Sequence, residues 1–307
     1  MTISILKRGD PTRTIMLRYR FVEEIKLRFK RIIRLTNQSI IKNNCFGMSN
    51  FSLSAVLFKK YSWEKGMVPI PSNAFKFQRD PEKISSFLSW LRRMETAGIF
   101  QISFKPQVGA GIEPVWSNIY IKNAYKKGIL WARHRIKQDS KVLQQIGKQQ
   151  NEIKTELNFI NSAFNQPVHA DRVGVLYTRV FDNLKGITAA IDSKISGILS
   201  EGMSLGLSPY EVARNISKEI TTIGINRSTV LARTEIIRAH HLAAVQEYRN
   251  YGIEGVKVDA EWVTAGDERV CELCSPLDGK IFTLDEIEGK IPVHPQCRCA
   301  AVPVVID

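Results

Sequence analysis

Trp262-Val263-Thr264-Ala265-Gly266-Asp267-Glu268-Arg269-Val270-Cys271-Glu272-Leu273-Cys274 and, after nineteen intervening residues, His294-Pro295-Gln296-Cys297-Arg298-Cys299 decide how the C-terminal part of this chain is built. Four of the five cysteines lie here, within the last 37 residues, while Cys45 stands alone far upstream. Two thiols separated by two residues can grip a tetrahedral ion from one tight turn, and a second cluster later in the chain closes the shell. Immediately before, Val256, Val258, Ala260 and Trp262 alternate with Lys257, Asp259 and Glu261. That period of two predicts a half-buried strand. Phe282 and the run from Ala300 to Ile306 are two further strand candidates. The cluster is thus expected on loops between strands of a small sheet.

Only four of the five donors can complete one tetrahedral shell. Cys271 and Cys274 form the first pair. His294 with Cys297 or Cys299 gives three thiolates and an imidazole; Cys297 with Cys299 gives an all-thiolate site with His294 outside the shell. Structural zinc is the expected occupant. The competing readings are reduced cysteines packed as small apolar groups, or disulfides formed in an oxidising medium. No open coordination position or neighbouring glutamate base suggests a catalytic ion.

Upstream of the strand the period is helical. Residues 169–202 read as one helix, ending at a Gly202–Gly206 turn. Ser208-Pro209-Tyr210-Glu211 is a capping box with proline preset for the first turn, and that helix is expected to reach about Ile220. After Gly224 another starts near Asn226 or Arg227 and runs to a Tyr251-Gly252 stop. In the N-terminal part, Thr12–Asn43 reads as a long basic helix with Met16, Tyr19, Val22, Ile25, Phe29, Ile32 and Ile33 as its apolar stripe. Asp80-Pro81-Glu82 starts a second helix, with Asp80 as its cap. A short strand is expected over Phe100–Phe104, a turn at Gly109–Gly111, and a third helix from Ser117. The Lys/Gln-rich piece from Lys137 to Lys154 is read as an exposed helix or linker. The expected class is α-rich α+β: mainly helical N-terminal and central parts, then a small C-terminal α+β module carrying the Cys/His knuckle.

Charge divides the chain. Residues 1–150 hold 28 Lys and Arg against 9 Asp and Glu, a balance of +19, whereas residues 151–307 hold 16 against 21, a balance of −5. We therefore draw two domains, 1–150 and 151–307, the second helical to about residue 252. A lobe so positive attracts polyanions and gains counterion-release free energy on binding them. Arg18, Arg20, Lys26, Arg28, Lys30, Arg31 and Arg34 are the candidate contacts to nucleic acid or an acidic partner; a solvated helix face is the alternative. No apolar run is long enough to span a bilayer, and the N-terminus lacks the features of a secretory signal.

Other candidate chemistry is thin. His240 and His241 are adjacent, hence about 100° apart on a helix and unable to face one metal together. Cys271-x-x-Cys274 lacks the strand-to-helix setting of a redox motif. No P-loop, dinucleotide fingerprint or Ser/His/Asp grouping appears.

Ala232-Arg233-Thr234-Glu235 within a helix, Tyr248, Gly252, the Trp262–Cys271 stretch, Leu277-Asp278-Gly279-Lys280 and Pro292–Cys299 follow one another in an order and spacing that resemble the phage Mu F-like head morphogenesis domain. This is a minor capsid family of tailed phages and prophages. The resemblance covers residues 205–303 and extends back towards 165; the first 150 residues resemble nothing we can name. It implies a structural, non-enzymatic protein of the phage head, assembled in the host cytoplasm and carried in the virion. Expected partners are the portal, the major capsid or scaffolding protein, and DNA bound without sequence preference. Arg233, Glu235, Trp262, Asp267, Arg269, Asp278, Gly279 and Arg298 fall on its motifs, and they are expected to be structural. Glu235 and Arg238, three apart on one helix, can pair, and a buried ion pair tying this helix to the Trp262–Arg269 segment is the expected role. Asp267 should cap the metal loop or pair with Arg269 or Arg298. The rival reading is a phage enzyme, a nuclease or an ADP-ribosyltransferase-like transferase. The basic part offers no carboxylate cluster for magnesium, and no separate domain would hold a nucleotide cofactor.

Overall fold

The computed structural model describes residues 9–48, 67–99, 116–138, 167–253 and 257–306. The expected Phe100–Phe104 strand, the Gly109–Gly111 turn, nearly all of the Lys137–Lys154 piece and the boundary near residue 150 lie outside the described residues. Helices are α1 (Ile15–Asn37), α2 (Asp80–Gly98), α3 (Asn118–Lys137), α4 (Pro167–Ser204), α5 (Pro209–Glu219), α6 (Arg227–Ile253) and the single turn α7 (Leu284–Ile287). Among the described residues three strands, β1 (Val258–Val263), β2 (Ile281–Phe282) and β3 (Ala300–Val305), complete an α-rich α+β protein. Two compact units are present, and each draws on both halves of the chain: residues 1–21, 117–180 and 230–307 form one, residues 22–116 and 181–229 the other.

In the first unit the strands form an antiparallel sheet in the order β2-β1-β3. Register follows from the alternation. Trp262 pairs with Ala301 and Ala260 with Pro303, so Val258, Ala260 and Trp262 all point into the protein. Two apolar clusters lie against the sheet. One joins Trp131, Ala132 and Ile136 of α3 with Ala244 and Tyr248 of α6 and with Val258, Ala300 and Val305 of the strands. The other joins Ile237 and Val245 of α6 with Ala260, Trp262, Ile287, Ile291 and three of the four clustered cysteines. The Tyr248 hydroxyl donates to the Ala301 carbonyl at 2.8 Å, satisfying the polar tip of a fully buried ring. Gly128 lets α3 approach α6 closely: a Cβ there would sit 2.3 Å from the His240 carbonyl oxygen.

In the second unit, α1 buries Val22, Ile25, Phe29, Ile32 and Leu35, a stripe at three- and four-residue spacing. The buried face differs from the expected one. Met16 and Tyr19 are exposed and Ile33 is half-buried, while Phe21 and Leu35, absent from the expected stripe, are buried. The face is decided by what packs on it, and a run with apolar residues at several phases leaves that choice open. α2 starts one residue earlier than its expected cap: Arg79 is extended at the N-cap and Asp80 is helical, free to pair with Lys83 at 3.0 Å. The Ser208 capping box forms as read, with the Ser208 N–H donating to the Glu211 carboxylate at 2.9 Å. Past α5 the chain does not break at Gly224. It continues as a π-helical turn, Ile220–Asn226, in which Gly224 lies against Phe29: a Cβ there would stand 2.6 Å from the ring. Glycine permits that approach without leaving the helix.

Candidate metal centre

Cys271 and Cys274 sit on a turn after β1, where the Cys274 and Ser275 amides both bond to the Cys271 carbonyl. A 3₁₀ turn, Ser275–Leu277, then leads to Asp278 and Gly279. Gly279 has φ 79°, a left-handed conformation suited to glycine. It reverses the chain so that its N–H reaches the Trp262 carbonyl at 2.8 Å and the Lys280 carbonyl receives the Trp262 N–H at 2.8 Å. Asp278 fixes the turn from below by accepting from the Thr264 N–H at 2.8 Å and from its hydroxyl at 3.1 Å. The Asp278-Gly279 pair is therefore a structural hinge that sets β2 beside β1.

The second loop brings His294, Cys297 and Cys299 to the first. His294 Nε2 lies 3.1 Å from Cys271 Sγ and 3.2 Å from Cys274 Sγ, and Cys274 Sγ lies 3.9 Å from Cys297 Sγ. Donor atoms of Cys271, Cys274 and His294, and likewise of Cys274, Cys297 and Cys299, lie within 4.8 Å of one another. Cys274 belongs to both groups, so all five donors gather around it. Tetrahedral bonds of zinc-thiolate length put neighbouring sulfurs roughly 3.7 Å apart, close to the Cys274–Cys297 separation. A disulfide needs about 2 Å, and all five cysteines are free thiols. His294 is presented in a ligating tautomer. Its Nδ1 lies 2.8 Å from the Pro295 carbonyl, which can only accept. Nδ1 therefore carries the proton and Nε2 offers its lone pair to the sulfurs, the arrangement that orients metal-bound imidazoles.

Electrostatics also favour a cation. Cys274, Cys297 and Cys299 are buried, and uncompensated burial opposes thiolate formation. Desolvation pushes the Cys274 thiol up to about 12. Cys297 moves the other way, down to about 5, because it accepts from the Cys299 thiol and from the Cys299 and Val293 amides. A divalent ion would let the remaining thiols ionise together. The cluster is compatible with a metal ion and fits a soft tetrahedral one.

The motif residues brace this centre. Asp267 accepts from both terminal nitrogens of Arg298, at 2.6 and 2.5 Å, and from the Arg269 side chain at 3.0 Å. These donors, Arg298 foremost, hold its carboxyl well below the usual carboxylate range. Trp262 is buried edge-on to Phe282, with ring centroids 6.1 Å apart. Glu235 is buried and pairs with Arg238 of its own helix, three positions on, at 3.3 Å; its second partner is Arg179 of α4 at 3.0 Å, in place of the Trp262–Arg269 segment. The link from α6 to the knuckle is made instead by its neighbours. Arg233 donates to the Gln296 side chain at 2.8 Å, and the Gln296 N–H donates to Thr234 Oγ1 at 3.0 Å. Gln296 has φ 63° and was not singled out in the sequence. Its place between the candidate ligands His294 and Cys297 in a tight loop was the available signal.

His240 and His241 are core residues. His240 packs edge-on against Trp131 at 5.3 Å, and His241 Nε2 lies 3.0 Å from the Ile287 carbonyl. Burial pushes the two imidazoles down, to about 3 and about 4.

The basic candidates divide. Arg18 is buried and held by Asp10 at 2.9 Å, so it leaves the surface set. Lys26 pairs with Glu23, and Arg28 pairs with Glu24, both at 2.7 Å. Arg28 also donates to the Gly98 carbonyl and lies 4.1 Å from the Trp116 ring centre. Arg20, Lys30 and Arg34 are exposed and Arg31 is half-buried. Arg28, Lys30, Arg31 and Arg34 line one recess of about 490 Å³ with Leu27, Glu24 and Gly98. No described helix is long and apolar enough to cross a membrane.

Residues 193–302 match the family model described as phage Mu protein F like protein, so the resemblance holds for the segment that contains the metal centre. An uncharacterized protein of Methanocaldococcus jannaschii is 28% identical over 119 residues, 38% of this chain and 18% of that protein. The chain thus covers under a fifth of that relative's length. No solved structure matches.

Proposed function

We propose that this chain is a structural, non-enzymatic component of a tailed-phage or prophage head, sited at the portal vertex, where it serves head morphogenesis or genome delivery. The observation that carries this reading is the coincidence of the Mu F-like segment, residues 193–302, with a Cys/His knuckle packed into the core of a small sheet. The cluster sits in a structural position: its sulfurs contribute to an apolar core, and the residues around it are ion pairs and turn bonds. One zinc ion held by four of Cys271, Cys274, His294, Cys297 and Cys299 locks the two loops together. The exposed cations of α1, chiefly Arg20, Lys30 and Arg34 with Arg31, Arg28 and Lys26 beside them, meet packaged DNA without reading its sequence. Portal and the major capsid or scaffolding protein are the protein partners. The chain folds in the host cytoplasm and ends in the virion.

Two measurements test this. The full chain, co-expressed with the portal protein of its own genome, should co-purify with the portal ring. DNA retention should weaken steeply with rising salt, as phosphate-driven binding does. A chain that ignores the portal and hydrolyses or modifies nucleic acid would sink the reading.

A further inference from the structure

Beside the knuckle, and outside the basic run of α1 just described, lies a cleft of about 290 Å³ lined by Arg18, Tyr19, Arg233, Arg269, Gln296 and Arg298, with Asp10 on its wall. Four guanidinium groups converge there from four separate stretches of chain, all within one compact unit. Among the described residues they pair with two carboxylates: Asp10, which holds Arg18, and Asp267, which holds Arg269 and Arg298. Charge is therefore left over by two. Donors are left over as well. Arg233 spends one N–H on Gln296 and Arg269 one on Asp267, out of five each. Surplus positive charge with spare donors facing one cleft favours the binding of an anion.

We infer that this cleft binds a phosphoryl group, between the Arg233, Arg269 and Arg298 guanidiniums. A phosphate monoester dianion balances both surplus charges and a phosphodiester monoanion one of them; either accepts several N–H bonds at once, and arginine's planar fork suits phosphate oxygens. The phosphoryl group has two sources, a free phosphate compound or a phosphodiester of a nucleic-acid strand. Tyr19, at the rim and half exposed to water, is placed to stack on whatever extends outward.

The test uses the full-length, metal-loaded chain, with pyrophosphate followed by calorimetry and a short single-stranded oligonucleotide followed by fluorescence anisotropy. Pyrophosphate should bind one to one. Arg233→Gln with Arg269→Gln should weaken it about tenfold, the effect of losing one or two charge-assisted hydrogen bonds. Lys194→Gln with Arg214→Gln, exposed cations away from the cleft and from the basic face of α1, should leave it unchanged. Competition between oligonucleotide and pyrophosphate assigns the phosphodiester as the source; its absence assigns a free phosphate compound. Should the double variant fail to fold, Arg269→Gln alone serves, since that side chain is 79% exposed. The inference is overturned if pyrophosphate does not bind, if variants of unchanged melting temperature and metal content bind it as the parent does, or if only polyglutamate is held.

Discussion

Arg298 grips Asp267 with both terminal nitrogens, so the loop carrying Cys271 and Cys274 is tied to the loop carrying Cys297 and Cys299 by a bond that involves no metal. The residue between two sulfur donors thus anchors the residue four positions before another. This pair arranges the ligands before an ion arrives. Asp267→Ala should lower zinc affinity about tenfold, the usual scale for groups that orient ligands, read by competition with a chromophoric chelator. Arg269→Ala, which removes the more exposed partner, should change it little.

Metal removal should loosen a defined region. Structural zinc contributes on the order of 10 kcal/mol of apparent binding free energy, and here it would join two loops that otherwise meet through Asp267–Arg298. Chelation should therefore raise amide exchange in β1, β3 and the segment from Cys271 onward, while α2 and α5 keep their protection. Unchanged exchange in β3 would show that thiol packing alone holds the knuckle.

Much of this centre was legible in the sequence because its signals are short-range. Cysteine spacing, the Ser208 capping box and the two-residue alternation before Trp262 each act over a few residues, and all appear in the structure. What was not legible depends on distant partners. The α1 stripe was misplaced at Met16 and Tyr19, since several phases of that run are apolar and only packing selects one. Glu235 was read as a buried ion pair, but Arg179, 56 positions away, carries no mark that designates it as the partner. Gly224 looked like a stop and is instead a close approach to Phe29. Arg18 looked like a surface cation until Asp10 was seen beside it.

The buried carboxyl Glu95 should make stability fall as pH rises. Burial, reinforced by Asp192, pushes its pKa up from 4.5 to about 9, against a smaller opposing pull from Arg92. Because the folded value exceeds the unfolded one, the contribution is complete below pH 4.5 and is lost progressively up to pH 9. Glu95→Gln removes that dependence. Its melting temperature at pH 8 should exceed the parent's by a few degrees, corresponding to roughly 1–2 kcal/mol, with little gain at pH 4.5. A lower melting temperature at both pH values would contradict the assignment.

Gly128→Ala should destabilise the unit that carries the metal centre. The added Cβ would meet the His240 carbonyl oxygen at 2.3 Å and Ala243 Cβ at 2.7 Å, atoms that cannot swing aside as a flexible side chain can. The cost should be about 2–3 kcal/mol by the scale of overpacked cores, measured by denaturant titration. Gly174→Ala, where nothing lies within 4 Å, is the control, and it should be neutral or slightly stabilising by helix propensity.

The role in the head is tested most directly by quantitative mass spectrometry of purified, DNA-filled particles produced from the parent genome and from one carrying a stop codon early in this reading frame. The account predicts a fixed, low copy number of this chain in parent particles and few or no infectious heads from the mutant. Infectious particles of normal yield that contain none of the chain would contradict it.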